Sequence, residues 1–247
     1  MRILHVSEVD IGGTLIVLER LAASQLEHFG SKNVICLLPN SALSEITQIP
    51  RSCIITFTRK RRGATSFLSL LLNFSKIMFQ YRPHILHIHS TFAGFVCRVF
   101  LAIVGPVVKC KVIYCPHAWS FSNKTIVQTW TFQMVERVLS RYSDLIICVS
   151  NYERSAGILA GIRPERLVVI SNGVAFPDAP KPALITDNQL VEALFVGRLS
   201  IQKGFDILSR ALRQIPPGRI HLTVIGPRSI PAECLQGVKA IQSVLSS

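Results

Sequence analysis

From Ile3 to Ile170, short and almost unbroken apolar runs alternate with longer helical stretches. The runs are Ile3–Ser7, Val34–Leu38, Ile54–Phe57, Ile85–His89, Lys111–Cys115, Leu145–Val149 and Leu167–Ile170. Between them, Leu15–His28, Ser66–Tyr81, Ala93–Ile103, Thr125–Ser140 and Tyr152–Ala160 read as helices. A strand that is apolar at nearly every position is buried on both faces, which is the habit of a parallel sheet. Strands of this kind separated by helices predict a doubly wound α/β domain. Its ligand crevice lies beyond the carboxyl ends of the strands.

The composition changes at Ala175. Phe176-Pro-Asp-Ala-Pro-Lys-Pro182 cannot be regular structure, because each proline removes a donor and fixes φ. Residues 1–174 therefore read as an N-terminal Rossmann-like domain and 175–190 as a linker. Residues 191–247 read as a second, incomplete α/β unit. That unit is expected to hold strand Ala193–Val196, helix Lys203–Gln214, strand His221–Ile225 and a closing helix over Ala232–Leu245. Two strands enclose too little surface to make a core, so this second domain looks cut short.

Hydrophobic residues make up 49% of the 247 positions, which supplies a sizeable core and argues against disorder. The net charge is +13 and unevenly spread. No Asp or Glu occurs between Glu45 and Glu136, a stretch that holds Arg51, Arg59, Lys60, Arg61, Arg62, Lys76, Arg82, Arg98, Lys109, Lys111 and Lys124. Such a block attracts an anionic partner or forms a solvated basic face. The seven Cys lack metal spacing, and several sit in apolar runs, so they read as small buried hydrophobes of a reducing compartment. No signal peptide is read ahead of Arg2-Ile-Leu-His-Val6, and a cytoplasmic location is expected. Phe92–Val108 is apolar, but Arg98 and Gly105-Pro106 interrupt it, so a buried helix and turn are expected in place of a membrane span.

Several segments carry chemistry. Gly197-Arg198 ends a strand, and Lys203-Gly204 is expected to open a helix. Two cations beside a helix N-terminus suit a diphosphate; an ordinary turn with two solvated bases is the plain alternative. Gly12-Gly13, in the first βα turn, either lets backbone approach a ligand or makes a tight turn. It is not the dinucleotide fingerprint, and Asn40 stands near where that fingerprint wants an acid. His87 and His89 share a strand face but lack a third ligand, so no metal is expected; His87 reads as a packed, hydrogen-bonded residue. His117 follows a strand end, where it either orients a substrate group or serves structure. Asn172-Gly173 is a turn signal first. Arg59-Lys60-Arg61-Arg62 precedes an amphipathic helix and is read as a contact for membrane or lipid phosphate, the helix itself as packed on the sheet.

Six segments then follow in order: Gly12-Gly13, Arg82-Pro-His-Ile-Leu-His-Ile-His89, Pro116-His-Ala-Trp-Ser120, Ser143-Asp-Leu-Ile-Ile-Cys-Val-Ser150, Val169-Ile-Ser-Asn-Gly-Val174 and Phe195-Val-Gly-Arg-Leu through Lys203-Gly204. Together they resemble the retaining glycosyltransferases of the GT-B fold, the family 4 group in particular. The resemblance implies a complete N-terminal and a partial C-terminal Rossmann-like domain. It implies a metal-independent transfer of sugar, with retention, from a nucleotide-sugar donor to a glycan or lipid-linked acceptor. Arg198, Lys203 and Gly204 would hold the donor diphosphate. Gly12, Gly13 and Asn172 would line the donor and acceptor cleft, and His117 would be the catalytic-site histidine. Such a protein would sit peripherally on the inner face of a membrane, with no cofactor and no nucleic acid partner.

The sequence departs from the family in two ways. His84 stands where an Asp is usual. After Lys203 the only glutamate is Glu233, so no Glu-x₇-Glu motif follows. Sugar and ribose contacts implied by the family are missing, and these residues alone are expected to be weak or inactive in transfer. The alternative is a non-catalytic remnant that binds membrane or acceptor through its basic first domain. A basic nucleic-acid binder ranks last, for want of a reading motif.

Overall fold

The computed structural model describes residues 1–59, 63–105, 107–121, 125–174, 190–216, 218–226 and 243–244. The chain divides into two compact units, Met1–Ala175 and Phe176–Ser247.

Seven parallel strands form the sheet of the first unit: β1 (Ile3–Ser7), β2 (Val34–Pro39), β3 (Ile54–Phe57), β4 (Ile85–His89), β5 (Lys111–Cys115), β6 (Leu145–Cys148) and β7 (Leu167–Val169). Their order is β3-β2-β1-β4-β5-β6-β7, so the winding reverses between β1 and β4. Five helices fill the crossovers: α1 (Gly13–Phe29), α2 (Ala64–Tyr81), α3 (Thr91–Val104), α4 (Ile126–Leu139) and α5 (Asn151–Leu159). All five residues of β1 are buried, as a strand covered on both faces requires. One core cluster takes Leu70, Phe74, Ile77 and Met78 from α2 and Leu4, Leu86, Ile88 and Val112 from the strands. Each such side chain contributes about 1.5–3 kcal/mol by leaving water. A second cluster packs Leu15, Leu18 and Ala22 of α1 over Val34, Cys36 and Leu38.

The charge inside α3 is explained by pairing. Arg98 is fully buried, donates to Gly94 O at 2.8 Å and Glu136 Oε2 at 2.8 Å, and lies 3.9 Å from the Tyr114 ring centroid. Among the described residues no helix is long and apolar enough to cross a membrane.

The second unit holds β8 (Val191–Val196), a 3₁₀ turn Ile201–Lys203, α6 (Phe205–Leu212), β9 (Ile220–Ile225) and β10 (Ser243–Val244). Its sheet is parallel, in the order β10-β9-β8. Leu199, Phe205, Leu222 and Val224 form its small core. The closing helix expected over Ala232–Leu245 lies mostly outside the described residues. Where it is described, Ser243 and Val244 are a strand, because the free edge of β9 offers ladder groups that a parallel strand satisfies. The linker expected at 175–190 lies outside the described residues except for Leu190.

Candidate functional site

The switch point of the first sheet lies between the carboxyl ends of β1 and β4. Glu8, the residue after β1, is fully buried. Its carboxylate accepts the Ser90 hydroxyl and, at 3.1 Å, the Ala93 amide in the first turn of α3. A carboxylate from a neighbouring strand therefore occupies that helix N-terminus. The N-terminus of α1 is different. Gly12 is its cap residue, Gly13 begins the helix, no side chain caps it and its first turn has no acid. Gly12 O takes the amides of Leu15 and Ile16 at 3.0 and 3.2 Å. The glycine pair thus leaves first-turn N–H groups uncovered at the switch point, which suits an anion.

Arg59, at the carboxyl end of β3, is engaged within the fold. Its Nη1 donates to Glu8 O at 2.7 Å and pairs with Asp10 Oδ1 at 3.0 Å. Asp10 Oδ2 also accepts the Ser41 hydroxyl at 3.0 Å. The loop after β1 draws the guanidinium inward by placing the Asp10 carboxylate and the Glu8 carbonyl beside it. Lys60, Arg61 and Arg62 lie outside the described residues.

Strand register gathers histidines. His5 pairs across the ladder with His87, Ser7 with His89, and His89 with Cys115. Residues at i and i+2 share a sheet face, so His5, His87 and His89 fall together, and His117 lies two residues past Cys115. His5 Nδ1 is 3.2 Å from His89 Nε2, and His89 Nδ1 is 3.1 Å from His117 Nε2. His5 Nε2 is 2.7 Å from Gln25 Oε1. The His87 ring stacks on His89 with centroids 4.1 Å apart, and its Nε2 has no partner among the described residues, unlike the hydrogen-bonded role expected for it. Burial holds these rings neutral. It pushes His5 and His117 down to about 4, with the Gln25 bond opposing it at His5. His87 and His89 fall well below 6.5, through burial first and neighbouring histidines second.

His5 also supplies the third histidine that strand spacing had not offered for a metal: ring nitrogens of His5, His87 and His89 lie within 4.8 Å of one another. The rings of His5 and His87 are each inclined by only 28° to that of His89. His5 Nδ1 and His89 Nε2 nonetheless face each other at hydrogen-bond distance. His5 and His89 are thus engaged with each other, while His87 Nε2 has no partner among the described residues.

His117 and Ala118 have φ of 51° and 96°, a left-handed pair with side chains. Such backbone persists only when its surroundings hold it. Glu153 of α5 is what holds it here. Its carboxylate takes the Ala118 amide at 2.6 Å and the Val149 amide at 2.7 Å, and its carbonyl takes Trp119 Nε1 at 2.7 Å. Ser150 caps the same helix by accepting the Glu153 amide at 3.2 Å. Glu8, His5, Gln25 and Glu153 were all missed as site residues by sequence reasoning. Only Glu153 had a readable signal, the Ser-x-x-Glu capping pattern at Ser150. Asn172 is exposed after β7.

In the second unit, β8 runs into Gly197 and the exposed Arg198, then buried Leu199. Lys203, also exposed, ends the 3₁₀ turn and does not open the helix as expected; α6 begins one residue after Gly204. Gly204 makes the break, since its φ of 69° caps both elements in a conformation that suits glycine. No ion pair engages Arg198 or Lys203 among the described residues. Both charges are exposed beside the turn, where an anionic ligand would suit them.

The sequence profile of Glycosyltransferase Family 4 matches residues 11–176. An uncharacterized 41.2 kDa protein in the cps region of Klebsiella pneumoniae is 30% identical over 237 residues, covering 92% of this chain and 63% of that protein. The O-antigen biosynthesis glycosyltransferase WbnH of Escherichia coli is 31% identical over 132 residues, covering 53% of this chain and 38% of its own. Among solved structures, Anabaena Alr3699/HepE in complex with UDP and glucose aligns with a TM-score of 0.72 at 22% identity, over 99% of this chain and 69% of that one. The chain thus spans less than two thirds of the length of these two curated relatives.

Proposed function

Because the chain belongs to glycosyltransferase family 4, we propose that it serves the building of a surface polysaccharide. It transfers a sugar from a nucleotide-sugar donor to a glycan or lipid-linked acceptor, with the anomeric configuration retained. The observation that carries this reading is the pair of cations, Arg198 and Lys203, exposed on the turn between β8 and α6 and without an ion pair among the described residues. An Arg fork and a Lys point charge stabilise a departing diphosphate without a metal. The UDP in the Anabaena structure supports a uridine nucleotide as donor. Gly12 and Gly13 offer backbone N–H groups to donor phosphates or acceptor, Asn172 contributes a polar edge, and His117 lines the sugar site.

The acceptor is proposed to lie at an anionic membrane surface. Val127, Trp130, Met134 and Val138 are exposed on α4, beside Arg137 and Arg141. Apolar side chains next to bases suit a lipid interface. After Lys203 the sequence has one glutamate, Glu233, and so no Glu-x₇-Glu pair beside the two cations; slow turnover is proposed for these residues taken alone.

The test is UDP binding to the 247-residue chain by calorimetry, with sugar-nucleotide turnover on membrane extract measured in parallel. Charge-assisted hydrogen bonds contribute about 1.5–3 kcal/mol each, so Arg198→Ala and Lys203→Ala should each weaken UDP by about 10-fold or more. Unchanged affinity in both variants removes the diphosphate assignment. Absence of both turnover and donor-induced stabilisation removes the enzyme reading for this chain and leaves a binding role.

A further inference from the structure

Three imidazoles link helix α1 to the turn at the end of β5 without a break. Gln25 Oε1 meets His5 Nε2 at 2.7 Å, His5 Nδ1 meets His89 Nε2 at 3.2 Å, and His89 Nδ1 meets His117 Nε2 at 3.1 Å. A neutral imidazole carries one N–H and one bare nitrogen, and each contact needs one of each. The proton position at one end therefore dictates the position at every ring. A single ring out of step would set N–H against N–H, or bare nitrogen against bare nitrogen, in the buried interior.

The direction follows from the outermost partner. With Gln25 Oε1 accepting, His5 holds its proton on Nε2, and its bare Nδ1 accepts from His89 Nε2–H. The bare Nδ1 of His89 then accepts from His117 Nε2–H. His117 Nδ1 is left bare, an acceptor for a hydroxyl. If the Gln25 amide turned to donate, every ring would reverse and His117 Nδ1 would become a donor. His87 stacks on His89, and its Nε2 has no hydrogen-bond partner among the described residues.

We infer that Gln25 is a positioning residue: through His5 and His89 it fixes the tautomer of His117, so that His117 presents an acceptor nitrogen at the carboxyl end of the sheet. Its use for a substrate hydroxyl rests on the reading of His117 as a sugar-site residue; the tautomer coupling does not. A turn held at positive φ by Glu153 fixes the ring in space, and the relay fixes its proton. The two constraints together define one hydrogen-bonding role for one nitrogen.

The experiment is two-bond ¹H–¹⁵N correlation on the full chain labelled at histidine, near neutral pH, where the protonated and bare nitrogens of each ring are distinguished. In the wild type His5, His89 and His117 are expected to share the Nε2–H form. In Gln25→Met the acceptor is gone, and His117 is expected to shift toward Nδ1–H, its bare-nitrogen signal moving from Nδ1 to Nε2. Gln25→Asn, too short to reach, should do the same and serves if the methionine variant does not fold. His28 and His221, outside the relay, should keep their signals. Unlike tautomers among the three wild-type rings would overturn the inference. So would an unmoved His117 in a folded variant at position 25. Neither readout needs transfer activity, so failure here is distinct from loss of UDP binding.

Discussion

Glu153 and Ala118 are joined by a 2.6 Å hydrogen bond from the Ala118 amide to the Glu153 carboxylate. The bond ties the first turn of α5 to the left-handed residues at the end of β5. The helix thereby holds the backbone that carries His117.

Replacing Glu153 by Leu strands the Ala118 and Val149 amides. A buried donor left without its acceptor costs about 1–3 kcal/mol. Glu153→Leu should lower the urea midpoint and speed hydrogen exchange at the Ala118 amide. Wild-type protection of that amide in the variant would show that the turn holds itself.

Arg98 and Glu136 form a buried ion pair at 2.8 Å. Removing one member leaves the other charge buried, at a cost of about 3–5 kcal/mol. Arg98→Met should be strongly destabilised in denaturant melts. Adding Glu136→Leu should recover much of the loss, because the orphaned carboxylate goes with it. Strictly additive losses would argue that packing of the Arg98 stem against Tyr114 dominates.

The neutral histidines make stability depend on pH. Folded His5 and His117 titrate at about 4 and the unfolded rings near 6.5. Their contribution is present in full above 6.5 and is lost as pH falls from 6.5 toward 4, because the unfolded chain takes up protons first. Each such ring gives a slope of about 1.4 kcal/mol per pH unit in that window. His87 and His89, shifted in the same direction, steepen it. Melting temperatures measured between pH 7 and 5 should fall; a flat profile would contradict neutral burial.

Gly226 has φ of 145°, and a Cβ built on it would lie 2.1 Å from the Gly197 carbonyl oxygen. The ends of β9 and β8 approach too closely there for any side chain. Gly226→Ala should destabilise the second unit by about 1–3 kcal/mol from backbone strain alone and disturb the turn bearing Arg198. Thermal melting with UDP present and absent would register both effects; an unchanged melt would refute the close approach.

The apolar runs were legible because a parallel strand needs near-continuous hydrophobicity, and all seven runs of the first unit are strands. The apolar helix with Arg98 was legible as buried, but Glu136 as its partner was not. The two lie 38 residues apart and meet only through helix packing. The partners of Arg59 were hidden for a related reason. A run of four bases looks solvated in sequence, yet the fold brings Asp10 and the Glu8 carbonyl to the first of them. Lys203 was put at a helix start because sequence does not reveal that Gly204 takes the left-handed cap.

Local spacing determined the strand and helix alternation, the glycine pair at the first turn and the identity of the bases beside Gly197. These depend on residues near one another in the chain, where periodicity and turn chemistry act directly. Only the tertiary structure decided that His5, His89 and His117 form one line, that Glu8 fills the N-terminus of α3, and that Glu153 holds the His117 turn. Those relations depend on parallel register between β1, β4 and β5, and register is fixed by packing both faces of the sheet rather than by any single strand.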